Sequence, residues 1–457
     1  MTSPTTTTPD FALAQHASTL RFEDLSAHTI ERTKTFIADT LAVGVAGSSV
    51  EESMELSKTL SSGLVTGTVS VWGQTTELDA TTAILLNAFE VHCQEYDCLH
   101  EGAVLHAMAT LLPVLIAQAQ TTGSVSGKDL ITAVVAGTDV AIALGLAAKR
   151  GLRFFRPASS GGFGAVAGLA RLRGYSPHKT LAAFGYQLAQ ASGTMQAHRE
   201  GSPLLPLQAS FNAKAAWQSC ELAHSQLSTL DRPLTGEFGY LRLFEGEFDV
   251  EPLLEATGRT RHIDKFSHKP FPSGRATHGG IEGLMRLIQT HQLTADAIQE
   301  VVVIGPPLIN QLVNRPCVPE PSANYARLCM PFVLAKILQH GELKPAHYRR
   351  EALTDPKTHQ LASKVRMQED NNPDPNALSP QSVHVRLHDG QLLTTQIDDM
   401  LASPNRPLMA TQCRDKFMQC CALSLAPVSN PDRLWQALGD LEHCPDVGTM
   451  ISNITAS

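Results

Sequence analysis

From Phe11 to about Leu227 the chain reads as one helix after another, and so many small residues recur that the helices must approach closely. Ile30–Ala46, Thr81–Val91 and Gly102–Gln120 each carry apolar residues near the 3.6-residue spacing over ten or more positions. Alanine and glycine return at Gly44–Gly47, Ala136–Gly137, Gly145–Ala148 and Gly161–Gly168. Backbones that meet at such positions need little separation, so a compact many-helix domain is expected. The most apolar stretch, Ile131–Ala148, is interrupted by Thr132, Thr138 and Asp139; it reads as a buried helix rather than a bilayer span.

The pattern changes after about residue 260. Ile298–Ile304 is a β-branched run closed by Gly305-Pro306-Pro307, and Val383–Ile397 alternates on both sides of Asp389-Gly390, a hairpin signal. Helical stretches at Gly279–Thr290 and Tyr325–Gln339 separate them. The expected fold is therefore mostly α: a disordered tail over residues 1–10, a large all-helical domain over 11–262, a smaller α+β lid domain over 263–404, and C-terminal helices over 405–457 that pack back on the helical domain.

A length of 457 residues exceeds one ordinary core, and 43% hydrophobic with 18% charged residues is globular composition. The net charge of −8 argues against a nucleic-acid binder. Nine cysteines without a CxxC pair fit a reduced, cytoplasmic chain, and the polar, Thr-rich start lacks the pattern of a signal peptide. No membrane partner and no metal site are expected.

Four segments concentrate chemistry-bearing side chains. Asn87–Ala109 holds His92, Glu95, Asp97, His100, Glu101 and His106; helical spacing would let Asp97 meet His100 or Glu101, the pairing that acid–base chemistry uses. The two histidines of HEGAVLH are six residues apart, which is not zincin geometry. In KRGLRFFRPASSGGFGA, Arg156 and its neighbours precede Ser159-Ser160-Gly161, read as the N-cap of a helix from about Gly162 and hence a carboxylate site. Ala197–Ala213 offers His198, whose type in such a loop is more often structural than catalytic. Asp264–Gly280 sets Lys265, His268, Lys269, Arg275 and His278 at the expected domain junction, where ligands bind.

Taken in order, these segments resemble the MmgE/PrpD family, whose members include 2-methylcitrate dehydratase, cis-aconitate decarboxylase and iminodisuccinate epimerase. The resemblance rests on FIADTLAVGVAGS, NAFEVHCQEYDCLHEGAVLHAMATLLPVLIA, RFFRPASSGGFGAVAGLARLRG, KPFPSGRATHGGIEGL and PSANYARLCMPFVLAKIL, and spans about Phe11 to Cys421. It implies a homodimeric, cofactor-free lyase that transfers protons alpha to a carboxylate of a small di- or tricarboxylic acid. An epimerase or a non-catalytic polycarboxylate-binding homologue are the alternatives. By this resemblance His106 is the acid–base group, Asp97 orients it, and Lys269 and Arg156 clamp carboxylates. Ser159, Arg275, His100 and His278 complete the substrate site. Glu95 stands where the family usually has aspartate, and three departures stand out: Arg156 replaces a histidine, Leu205 replaces the decarboxylase lysine, and the third is at Phe332. Phe332 lies near positions that are tyrosines in the decarboxylase.

Overall fold

The computed structural model describes residues 8–62 and 67–455. It is mostly helical, with a smaller α+β unit. One hydrophobic core gathers residues from Leu13 to Phe266 and is rejoined by Phe417–Ile451; a second runs from Ala276 to Met400.

The first core is built on small residues. Helices Gly127–Ala147 and Arg156–Leu172 lie along each other, with Ala107–Thr122 and Leu204–Leu222 against the second of them. At their crossing a Cβ on Gly137 would stand 2.7 Å from the carbonyl oxygen of Gly164, and one on Gly164 2.6 Å from that of Gly137. Neither contact is open to a side chain. The apolar Gly127–Ala147 helix is long enough to cross a bilayer, yet 94% of its apolar stretch is buried within the protein.

In the smaller unit, the β-branched run becomes strand Ile298–Gly305, with Val301 and Val303 fully buried. It pairs in parallel with Val365–Glu369 and antiparallel with Gln381–Leu387, which continues through the Asp389-Gly390 turn into Leu392–Ile397. Helices His278–His291 and Met330–His340 cover the sheet. The C-terminal helices Ala410–Ala422 and Val447–Thr455 sit against Ala27–Gly47 and Ala107–Thr122.

Three expectations need correction. Pro9 and Asp10 are not tail: Thr8 caps a helix over Pro9–Thr19, and the buried Asp10 carboxylate accepts from the backbone of Leu234 and Thr235. Residues 1–7 of the expected tail lie outside the described residues. The helix expected from Gly102 begins only at Ala107. The helix expected from Gly162 begins at Arg156, so Ser159 lies inside it and caps nothing.

Gly137→Val would force a branched side chain against the Gly164 backbone and Leu111, an overpacking that costs about 1–3 kcal/mol. A denaturant midpoint equal to that of the unaltered protein would disprove the close crossing.

Candidate active site

The site is organised by the irregular stretch between two helices. Ala80–His92, capped by Asp79, delivers His92 in its last turn; Ala107–Thr122 starts directly after His106. Between them the chain leaves helical geometry because other parts of the protein bind it. Leu99 and Ser267 exchange backbone hydrogen bonds of 3.1 and 2.8 Å, and His100 and Leu105 form a second bridge. Glu95 and Val104 both take positive φ, 51°, which a side chain adopts only when its surroundings compel it.

This detour converges buried groups. The fully buried Asp97 carboxylate receives the His92 ring at 3.1 Å (Nδ1 to Oδ2), while Nδ1 of His106 lies 3.1 Å from the same oxygen. The second contact is a close approach rather than an aligned hydrogen bond. Burial alone would raise the Asp97 pKa, but the two imidazoles outweigh it and hold it well below the ordinary value. His106 is pushed down, chiefly by burial and with help from Lys269 and His92, so it is neutral near pH 7. For His92 the neighbouring Asp97 and Glu95 overcome burial and raise the value.

Beside this trio, Lys269 Nζ binds Glu95 Oε2 at 2.7 Å and the Glu95 carbonyl at 3.2 Å. Burial opposes ionisation of Glu95, but Lys269, His92 and His106 bring its pKa to about 2. Glu95 and His106 both face a small cavity at the junction of the two units. Its wall also includes Arg156, His198, Arg275 and a majority of apolar side chains.

The structure thus sorts the expected site residues. His106, Arg156 and Arg275 line the cavity, and Asp97 stands directly behind His106. Lys269 does not reach it: the side chain is wholly buried and spent on Glu95. His278 is held behind the wall, 3.2 Å from Arg275 Nη1. Asp97 meets neither His100 nor Glu101. His100 turns away toward His262 and accepts from the Ala103 backbone, and burial and neighbouring cations push it to about 3. Ser159 bonds to the Phe155 carbonyl and the Tyr240 hydroxyl, outside the cavity. Leu205 packs with Phe155, Ala158, Ala197 and Leu328, and Phe332 lies within the smaller unit's core.

His198 was undervalued by its sequence context. It lines the cavity, and burial with Arg315 nearby brings it to about 4. Its only sequence signal is the His-Arg-Glu cluster before the Pro203 break.

The donor atoms of His92, Asp97 and His106 lie within 4.8 Å of one another, and two imidazoles with one carboxylate are a set that suits a transition ion as well as shared protons. The chemistry open to the site is proton transfer by a neutral imidazole, His106, next to ionised carboxylates.

The model of the MmgE/PrpD N-terminal domain matches residues 12–253, and that of the MmgE/PrpD C-terminal domain matches residues 271–434. Human cis-aconitate decarboxylase is 27% identical over 97% of this chain and 94% of its own length. A cis-aconitate decarboxylase-like protein of Aspergillus oryzae is 24% identical over 97% of this chain and 96% of its own. Cis-aconitate decarboxylase of Aspergillus terreus is also 24% identical, with 84% of each chain covered. With both domain models matched in order across the two units described above, the chain belongs to the MmgE/PrpD family.

Proposed function

We propose that the protein is a lyase of the dehydratase or decarboxylase type, acting on a small di- or tricarboxylic acid by moving a proton at the carbon next to a carboxylate, with no bound cofactor. The observation that carries this reading is a neutral His106 at the cavity wall with an ionised Asp97 behind it. A neutral imidazole takes up the substrate proton, and the imidazolium that forms is stabilised by Asp97. His92, on the other side of Asp97, fixes that carboxylate in place. Arg275 is the cation at the wall best placed to hold a carboxylate. Lys269 acts through Glu95, keeping it ionised, and is a positioning residue in this scheme. The family resemblance and the decarboxylase relatives favour a lyase.

A second reading has one observation in its favour. An epimerase needs acid–base groups on both faces of a carbon, and His198 is a second neutral imidazole on the same cavity. His100, expected in the substrate site, lies outside the cavity.

His106→Ala should slow exchange of substrate α-protons with deuterated solvent by roughly 10²–10⁴-fold, the usual worth of a general base. The measurement is proton NMR with a panel of citrate-like, aconitate-like and iminodiacid compounds; undiminished exchange in the variant removes His106 from the mechanism. Net turnover identifies a lyase, and exchange with stereochemical inversion alone identifies an epimerase.

The rate should also fall on the acid side. A base whose pKa is depressed stays neutral until the pH drops below the ordinary histidine value of about 6.5, so the acid limb is expected below that point. A limb centred above pH 7 contradicts the assignment. Exhaustive dialysis against a chelator should leave the exchange rate unchanged; loss that zinc restores would make the His92–Asp97–His106 cluster a metal centre instead.

A further inference from the structure

The charges around the cavity are already matched. Among the described residues, Arg156 uses all five of its N–H groups: Nε and Nη2 donate to Glu245, Nη1 to the Ala103 carbonyl and Asn376, and Nη2 also to the Arg150 carbonyl. Its charge is cancelled by Glu245 at 3.1 Å, and both side chains are buried. Arg275 gives Nε and Nη2 to Glu101 and spends Nη1 on the His268 and Leu401 carbonyls and on His278, leaving one Nη2 hydrogen. Glu95 at the wall is balanced by Lys269. Each formal charge that lines the cavity therefore has an opposite partner within 3.2 Å.

A trianion placed here would leave water for a site with one open cationic donor, and unpaired charges in apolar surroundings are costly. The rest of the wall invites something else. Leu152, Met195, Leu312, Val313, Leu328 and Leu378 line the same cavity. Leu312 and Val313 end the Pro307–Val313 helix, and Leu378 comes from the loop that also presents Asn376 to Arg156.

We infer that the preferred substrate is a dicarboxylic acid bearing an apolar chain, in which hydrocarbon takes the place that a third carboxylate would fill in a tricarboxylate. The assignment rests on the reading of this cavity as the reaction site. One carboxylate lies on the open Nη2 hydrogen of Arg275, the reacting carbon faces His106, and the chain lies along Met195, Leu312, Val313 and Leu378.

The test is isothermal titration calorimetry of the full-length protein with three compounds on one succinate core. Tricarballylate carries a third carboxylate, 2-propylsuccinate replaces it with an ethyl group, and 2-pentylsuccinate extends the chain. The propyl compound should bind at least tenfold more tightly than tricarballylate, and the pentyl compound about fifteenfold more tightly again, about fourfold per added methylene. Leu312→Arg, at a half-buried position on the wall, should weaken the pentyl compound and strengthen tricarballylate by about tenfold. Tricarballylate binding as tightly as 2-propylsuccinate, or no binding of any of the three, overturns the inference. The proton-exchange assay separates this from the broader reading. Preference for the alkyl diacids without exchange keeps the pocket assignment and removes the lyase. Exchange on tricarboxylates together with tight tricarballylate binding keeps the lyase and removes the pocket assignment.

Discussion

The buried ion pair between Lys269 and Glu95 is the contact on which the arrangement of this molecule depends. It joins residues 174 positions apart, one from the loop after Ala80–His92 and one from the segment that opens the smaller unit. Both groups are removed from water, so each is tolerable only because of the other; removing one partner of such a pair typically costs about 3–5 kcal/mol. The same contact holds Glu95 in a left-handed backbone conformation and so fixes the path by which Asp97 and His106 come together. Domain association and site geometry are thus one event rather than two.

The periodic elements were legible because their signals are local. Thr81–Val91 and Ile298–Ile304 fall within a residue or so of the observed helix Ala80–His92 and strand Ile298–Gly305, since helical spacing and β-branching act over neighbouring residues. The reading failed where distant groups decide. The stretch from Gly102 has a helix-like pattern, but Leu105 within it bridges back to His100, and Leu99 just before it bridges to Ser267. The tail reading failed at Asp10 for the same reason: its partners Leu234 and Thr235 come more than two hundred residues later.

The candidate site was half legible for a related reason. Residue type marked His106 and Asp97, and the family resemblance ranked them. What charge a side chain retains is a property of its partners, and these are invisible in one dimension. Arg156 looked like a free clamp until Glu245, 89 residues away, was seen to neutralise it. Arg156 therefore does not enrich the cavity in positive charge. The neutral Leu205, in the apolar layer that includes Phe155 and Leu328, adds none either. His198 was passed over because a histidine in a loop carries no mark of the wall it will join.

The span of chain that encloses the cavity, from Glu95 to Leu378, bears on how the protein is made. Domains emerging from the ribosome tend to fold in order from the N-terminal side. The helical unit would then exist for a time with Glu95 lacking its ammonium partner and the future cavity open to water. Since Leu378 belongs to the wall, a nascent chain has no enclosed chamber until Leu378 has been translated.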